Sequence, residues 1–208
     1  MKKILACFAL LAAVGLTSSV AQAATACAIG QNVLSASFSC SIGGLTFSNF
    51  SSTNDNSSLG ITIQTVNADG FTLSPNLPTN GDPSLNDVNL QFKVAGGVSG
   101  VGLSLSGNAT SFVNELVCDG AGLASPAGSG KCAGNMLAFL TAFGTGPATS
   151  AIFATADPIW IFKDINDGGA ALSEVTQVYT SAVPEPMTLS MMGVGLLGLS
   201  LISRRKKS

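Results

Sequence analysis

The stretch Leu90-Gln91-Phe92-Lys93-Val94 alternates apolar with polar side chains. Because successive side chains of a β-strand point to opposite faces, a period of two predicts a strand with one buried face. The same period recurs in Val101-Gly102-Leu103-Ser104-Leu105-Ser106 and in Ile61-Thr62-Ile63-Gln64. The patterning therefore favours a sheet protein over a helical one.

Seven further segments have the apolar, β-branched or aromatic content of short strands, which gives about ten strands in all. They are 45–50, 71–74, 112–117, 136–143, 151–156, 159–163 and 175–180. Turn-forming Gly, Asn and Asp residues lie between them, and outside the two termini only 133–142 could alternatively form a helix. One domain over residues 24–182 is predicted, an antiparallel β-sandwich or jelly-roll-like fold.

The charge of this domain limits its chemistry. Residues 24–182 hold three lysines and ten acidic residues, which is a net charge of minus seven, so nucleic acid is not an expected partner. The sequence contains no histidine, which excludes the usual Ser-His-Asp, Cys-His and His-ligated metal enzymes. We expect no enzymatic activity and no cofactor.

A carboxylate-based hydrolase using Asp or Glu side chains, with Glu115 and Glu174 as the residues to test, is the remaining enzymatic class, although no paired-carboxylate motif can be placed.

The first 23 residues have the three regions of a secretory signal peptide. Lys2 and Lys3 precede an apolar stretch over 4–16, and Ala21-Gln22-Ala23 supplies the small residues of a cleavage site. Cleavage is expected after Ala23, which exports the remainder of the chain.

The segment 183–208 has three parts of its own. Val183-Pro184-Glu185-Pro186 favours an extended backbone, and a run of sixteen mainly apolar residues follows, from Met187 to Ile202. Arg204, Arg205, Lys206 and Lys207 then form a basic stop that would stay in the cytoplasm. The run predicts one short transmembrane helix, marginal because a bilayer core needs about 17–25 apolar residues. An ordinary C-terminal anchor is the alternative interpretation.

This order of motif, apolar run and basic stop resembles the PEP-CTERM sorting signal. The resemblance implies processing near Pro184-Glu185-Pro186 by an exosortase-type membrane transpeptidase of an exopolysaccharide-producing Gram-negative bacterium. It also implies transient residence in the inner membrane, followed by the cell-envelope surface or the extracellular matrix. Residues 40–50 and 162–169 are similar to segments that recur in PEP-CTERM ectodomains of no assigned activity.

Removal of the signal peptide leaves four cysteines: Cys27, Cys40, Cys118 and Cys132. Four cysteines in an exported chain indicate two disulfides, for which three pairings exist. The local pairing, Cys27 with Cys40 and Cys118 with Cys132, is favoured because each pair brackets one short segment.

Two local features invite binding functions. Asp164, Asn166 and Asp167 have the spacing of the first half of a calcium loop, yet the twelfth position is Val175 instead of glutamate, so a hairpin turn is the simpler interpretation. Trp160 could stack on a sugar ring, but its apolar neighbours favour a place in the core.

Together these features predict an exported structural or adhesive protein of the exopolysaccharide or biofilm matrix. A carbohydrate- or calcium-binding module at the cell surface is the alternative.

Overall fold

The computed structural model describes residues 25–52, 60–75, 87–124, 130–168 and 174–181. The expected signal peptide and the segment 183–208, with its predicted membrane helix, lie outside these ranges. Within them the chain forms strands, turns and bends and no helix. Consequently none of the described residues belongs to a helix able to span a membrane.

Eleven strands are formed by the described residues. They are β1 Ser39–Ile42, β2 Leu45–Ser52, β3 Thr62–Asn67, β4 Gly70–Ser74, β5 Asp87–Ala95, β6 Val98–Ser106, β7 Phe112–Cys118, β8 Met136–Phe143, β9 Thr149–Ala156, β10 Ile159–Asn166 and β11 Glu174–Ser181. Each of the ten segments predicted from the sequence coincides with one of these strands. The additional strand is β1, a short segment before Gly43-Gly44.

The strands form two antiparallel sheets. Sheet A has the order β1-β2-β5-β10-β7-β8, and sheet B has the order β3-β4-β11-β6-β9. In sheet A, β10 lies between β5 and β7, so Lys163 is opposite Leu90 on one side and Glu115 on the other. In sheet B, β11 lies between β4 and β6. Strands β10 and β11 are therefore interior strands, each hydrogen-bonded to a neighbour on both edges.

The sheets pack face to face through the apolar side chains of alternate positions. Phe47 of sheet A meets Phe71 of sheet B edge to face, with ring centroids 4.9 Å apart. Phe47 also contacts Tyr179, and Phe92 contacts Phe71, across the same interior. This arrangement confirms the all-β prediction with two antiparallel sheets, and aromatic pairs of this kind add about 0.5–1.5 kcal/mol each beyond area burial.

The helical alternative for residues 133–142 is wrong. Residues 136–143 are strand β8, which pairs antiparallel with β7, with one shift of register between Val117 and Cys118. Ala138, Leu140 and Ala142 alternate toward the core, and this period of two lets them bury one face against sheet B. Runs rich in Ala and Leu suit helices by intrinsic propensity, but here packing against a sheet decides the conformation.

Trp160 is not in the main core, contrary to the sequence interpretation. It is half-buried on the outer face of sheet A, where it packs against a second apolar cluster formed by Leu116, Cys118 and Phe162. Leu123 and Cys132 cover this cluster from the loop that follows β7. In the apolar run 159–162, alternate side chains therefore lie on opposite faces of β10: Ile159 and Ile161 face the main core, and Trp160 and Phe162 face the second cluster.

Two disulfides are present, with the local pairing favoured above. Cys27–Cys40 ties the segment before β1 to β1, and Cys118–Cys132 ties the end of β7 to the loop that returns over sheet A. Each has one cysteine in a strand of sheet A, Cys40 in β1 and Cys118 in β7, and the other in a connecting segment, so neither joins a strand of sheet A to a strand of sheet B.

Candidate functional site: a buried cluster and a polar outer face

Three polar side chains point into the core from the centres of the two sheets. Lys163 on β10 and Glu115 on β7 are directly opposite each other in sheet A, and Gln177 faces them from β11 of sheet B. All three are fully buried. Each occupies an inward position of its strand, flanked two residues away by apolar core residues. The alternation that forms the strands therefore also forces these groups inside.

The three side chains contact one another in a closed triangle. Lys163 Nζ donates to Glu115 Oε2 and to Gln177 Oε1, and Gln177 Nε2 donates to Glu115 Oε1 at 3.1 Å. The carboxylate thus has one oxygen on the amine and the other on the carboxamide nitrogen. The chemistry fixes the orientation of the carboxamide, because its N–H must face the carboxylate and its oxygen must face the amine.

Burial acts strongly on the protonation of this cluster. Desolvation lowers the pKa of Lys163, and the neighbouring Glu115 carboxylate opposes that shift only in part. Two acceptors contact Nζ among the described residues, which matches the two N–H donors of a neutral amine better than the three of an ammonium. Burial therefore favours the neutral, nucleophilic form of the Lys163 amine over the ammonium.

Tyr179 lies two residues after Gln177 on the same inward row. Desolvation, and secondarily the charge of Glu115, raise the pKa of its phenol well above 10. Its hydroxyl is buried and has no hydrogen-bond partner within the described part of the chain. The phenol therefore stays neutral, and its ring packs on that of Phe47 in the same core.

Sequence reasoning did not assign this cluster, although a signal existed. Lys163 interrupts Ile159, Ile161 and Ile165 on one strand face, and Glu115 lies between Val113 and Val117. A charged residue on the apolar face of a strand pattern is the sign of a buried ionisable group. The sequence pattern does not show which strands pair. Only the pairing of the strands shows that these three residues contact one another.

A second feature is a polar row across the outer face of sheet A. Asn89, Asp164, Asn114 and Thr141 lie side by side on four neighbouring strands. Asn114 Nδ2 donates to Asp164 Oδ2 at 3.4 Å, and Thr141 Oγ1 donates to Asn114 Oδ1 at 2.9 Å. All four side chains of the row are partly exposed.

Exposed aromatic rings flank one end of this polar row. Phe139 and Phe143 precede and follow Thr141 by two residues on the edge strand β8, and they are 59% and 53% exposed. Residues two apart on a strand share a face about 7 Å apart. The hydroxyl of Thr141 therefore lies between two exposed rings on this face.

The proposed calcium ligands are spread over two environments. Asp164 lies in the polar row, and Asn166 Oδ1 accepts from the backbone N–H of Gly168 at 2.8 Å, which closes a turn. Asp167 is buried, and its carbonyl accepts from Asn108 Nδ2 and Ser111 Oγ. Among the described residues no three His, Cys, Asp or Glu side chains converge in a way that could hold a metal ion.

Asp87 lies next to Asp164 on the same outer face. Partial burial raises the pKa of Asp87 to about 6, helped by a hydrogen bond and charge repulsion from Asp164. A carboxyl with this pKa exchanges its proton near neutral pH.

The residues of the tail are matched by a known family. The model of the PEP-CTERM protein-sorting motif matches residues 182–207, which include Val183, Pro184, Glu185, Pro186 and the basic stop. The chain carries a PEP-CTERM protein-sorting motif. Such a motif implies an exported protein that exosortase processes and that passes through the membrane to the cell surface. No curated protein matches the chain.

Solved structures show only distant likeness to this chain. The secreted serine protease VesC from Vibrio cholerae is 8% identical, with a TM-score of 0.30 over 60% of this chain and 26% of that one. The arabinose-bound MgGH51 α-L-arabinofuranosidase is 11% identical, with a TM-score of 0.32 over 75% of this chain and 24% of that one. Tailspike protein 4 of bacteriophage CBA120 is 12% identical, with a TM-score of 0.30 over 66% and 19%. The chain thus spans about a quarter or less of each, and likenesses this weak inform no functional argument.

Proposed function

We propose that this PEP-CTERM protein is a structural or adhesive component of the cell surface or of the exopolysaccharide and biofilm matrix, without enzymatic activity. The observation that carries the proposal is the sorting motif at 182–207, joined to a disulfide-bonded β-sandwich. Disulfides form and persist in oxidising compartments outside the cytoplasm, so they suit a protein that acts outside the cell.

The placement of Glu115 argues against the hydrolase alternative. Glu115 is one of the two glutamates in the body of the chain, and its side chain is 0% exposed. A glycosidase needs its carboxylates on both sides of a bond in an accessible cleft, which a carboxylate enclosed between two sheets cannot provide. The non-enzymatic proposal is therefore the better supported one.

The proposal is tested in the native host by deletion and fractionation. The wild-type protein is expected in the envelope and matrix fractions in a form that lacks residues 1–23 and the tail. Deletion is expected to weaken matrix cohesion, measured as biomass retained under shear. A variant with Glu185 replaced by alanine tests the dependence on processing, and recovery of intact protein in the cytoplasm would refute the proposal.

Carbohydrate binding is a second candidate, and the flanked polar row on sheet A favours it. Asn89, Asn114 and Asp164 offer hydrogen-bonding groups, and Phe139 and Phe143 offer exposed apolar faces beside them. Most of these groups are uncharged, so such a surface would bind neutral hydroxyl groups without needing a charged substrate. No comparable observation favours calcium binding at Asp164, Asn166 and Asp167.

Calorimetry with the host's purified polysaccharide tests this candidate. Saturable heat is expected for the wild type, and a loss of at least tenfold in affinity is expected for the double variant Phe139→Ser and Phe143→Ser. Replacing Ile152 by serine is the matched control, because Ile152 is an exposed apolar residue on sheet B. Absence of heat with the wild type, or equal loss in the control, would refute binding by this face. Addition of calcium to the same protein tests the calcium alternative.

A further inference from the structure

The buried cluster places an amine, a carboxylate and a carboxamide in mutual contact inside an apolar core. Lys163 Nζ contacts Gln177 Oε1, so the carboxamide carbon Cδ lies one C=O bond beyond the contact. Glu115 contacts both nitrogen atoms, that of the amine through Oε2 and that of the carboxamide through Oε1. A nucleophile, an electrophile with a leaving group, and a proton carrier are thereby assembled without solvent.

We propose that Lys163 and Gln177 become joined by an amide bond between Lys163 Nζ and Gln177 Cδ, with Glu115 as the proton carrier and ammonia as the product released. The cross-link would be intramolecular and would form once per chain. It rests on the geometry of the cluster alone and does not depend on the matrix role proposed above.

The reaction balances without a cofactor. The lone pair of Nζ forms the new bond to Cδ, and the π electrons of the carboxamide move to Oε1. Glu115 takes a proton from Nζ and gives a proton to Nε2, after which the C=O bond reforms and the Cδ–Nε2 bond breaks. Ammonia leaves, the Glu115 carboxylate is regenerated, and no group is oxidised or reduced.

The environment favours each of these steps. Full burial lowers the pKa of Lys163, which favours the free amine that the attack requires. The apolar surroundings contain the rings of Phe47, Phe71 and Tyr179 on the same inner faces. Exclusion of water prevents hydrolysis of the carboxamide and strengthens the hydrogen bonds to Glu115.

Gln177 is a better electrophile than Glu115 in this arrangement. A carboxylate resists attack by an amine because of its negative charge, whereas a carboxamide is neutral and carries a leaving group. Both Glu115 oxygens are already directed at nitrogen atoms, the geometry of a base. The bond is therefore assigned to Gln177 and not to Glu115.

The consequence is a covalent connection that the disulfides do not supply. Lys163 belongs to β10 of sheet A and Gln177 to β11 of sheet B, so the bond would join the two sheets through the centre of the core. Neither disulfide joins a strand of sheet A to a strand of sheet B, because Cys27 and Cys132 lie outside the strands. The cross-link would hold the sandwich closed under tension or proteolysis.

Intact-mass analysis of the full chain, purified folded from an oxidising compartment and then reduced, tests the proposal. A mass about 17 Da below that of the same polypeptide without the bond is expected, because one ammonia is lost. Cleavage after glutamate locates it: Glu174 lies between Lys163 and Gln177, so the fragments 116–174 and 175–185 are expected to stay joined as one branched species. Trypsin is expected to fail at Lys163 in the denatured chain.

Variants identify the three roles. Glu115→Gln keeps the volume of the core and is expected to restore the full mass, as is Lys163→Met. Lys93→Met is the matched control, because Lys93 faces outward on the neighbouring strand β5, and it is expected to keep the loss of about 17 Da. The presence of both disulfides in each variant checks that it has folded.

The mass of the wild-type chain tests the cross-link even if a variant does not fold. A wild-type chain of full mass would overturn the proposal. So would separation of the two fragments after cleavage at Glu174, a loss of about 18 Da that maps to Lys163 and Glu115, or a loss that persists in Glu115→Gln.

Discussion

Lys163 and Gln177 touch in the interior although they belong to different sheets, and the carboxylate of Glu115 bridges them. Their strands are the central ones of the two sheets, so the contact lies where an aliphatic pair would be expected. Burying an amine and a carboxylate there costs desolvation energy that mutual contact only partly offsets. The cluster is therefore sensitive to the loss of any one member.

The first prediction concerns that sensitivity. Replacing Lys163 by methionine leaves the buried Glu115 carboxylate facing only Gln177, and this is expected to lower the free energy of unfolding by about 3–5 kcal/mol. Denaturation in urea measures it. The double variant Lys163→Met and Glu115→Met is expected to recover most of the loss, because no buried charge then lacks its partner. A double variant no more stable than the single one would contradict this account.

The second prediction concerns the carboxyl pair on the outer face of sheet A. The pKa of Asp87 is raised from 3.8 to about 6, chiefly by desolvation and then by Asp164. The folded protein therefore holds this proton more tightly than the unfolded chain, so the stabilisation is complete below about pH 4 and is lost as the pH rises through about 6.

Replacing Asp87 by asparagine is expected to remove this pH dependence. Above pH 6 the variant should be more stable than the wild type by roughly 1 kcal/mol, a figure discounted for solvent screening at this partly exposed pair. Near pH 4 the two should agree. Unfolding in urea at both pH values measures the difference, with Asp69→Asn in an exposed turn as the control. A stabilisation that is equal at both pH values would contradict the argument.

The parts of the fold that could be predicted are those encoded by local sequence patterns. The period of two located the ten predicted strands because apolar and polar side chains alternate toward core and solvent. Strand β1 was missed because Ser39–Ile42 has four residues and joins the sheet through its pairing with β2, a non-local feature. Trp160 was assigned to the wrong environment because a strand can be apolar on both faces when a loop covers the outer one.

The candidate site was harder to predict because it depends on strand order. Nothing in the sequence shows that β10 neighbours β7 or that β11 faces them from the other sheet. The sequence marked Asp164, Asn166 and Asp167 by their spacing, whereas the structure gives Asp164 to the outer polar row and Asp167 to a buried turn. Spacing along a strand separates residues onto alternate faces, so a loop motif loses its convergence when part of it becomes a strand.

The third prediction concerns the aromatic core. Phe47 is fully buried and packs edge to face on Phe71, so Phe47→Ala is expected to lower the free energy of unfolding by about 3–5 kcal/mol. Phe143→Ala removes an exposed phenyl group, and it should change stability by less than about 0.5 kcal/mol. Chemical denaturation of both variants provides the test. Equal losses would show that the sheets do not pack through Phe47.

The fourth prediction uses the single tryptophan to separate the two disulfides. The bond Cys118–Cys132 holds the loop that covers Trp160, so replacing both cysteines by alanine should expose the indole and shift its fluorescence emission to longer wavelength. Loss of the 14-residue link should also lower stability by about 3 kcal/mol in the chain-entropy model. The matched variant Cys27→Ala and Cys40→Ala opens a link of 13 residues and should lose similar stability with unchanged emission, because that bond lies near β1. If both double variants shift the emission equally, the loop is not what shields Trp160, and the second apolar cluster depends on the sandwich as a whole.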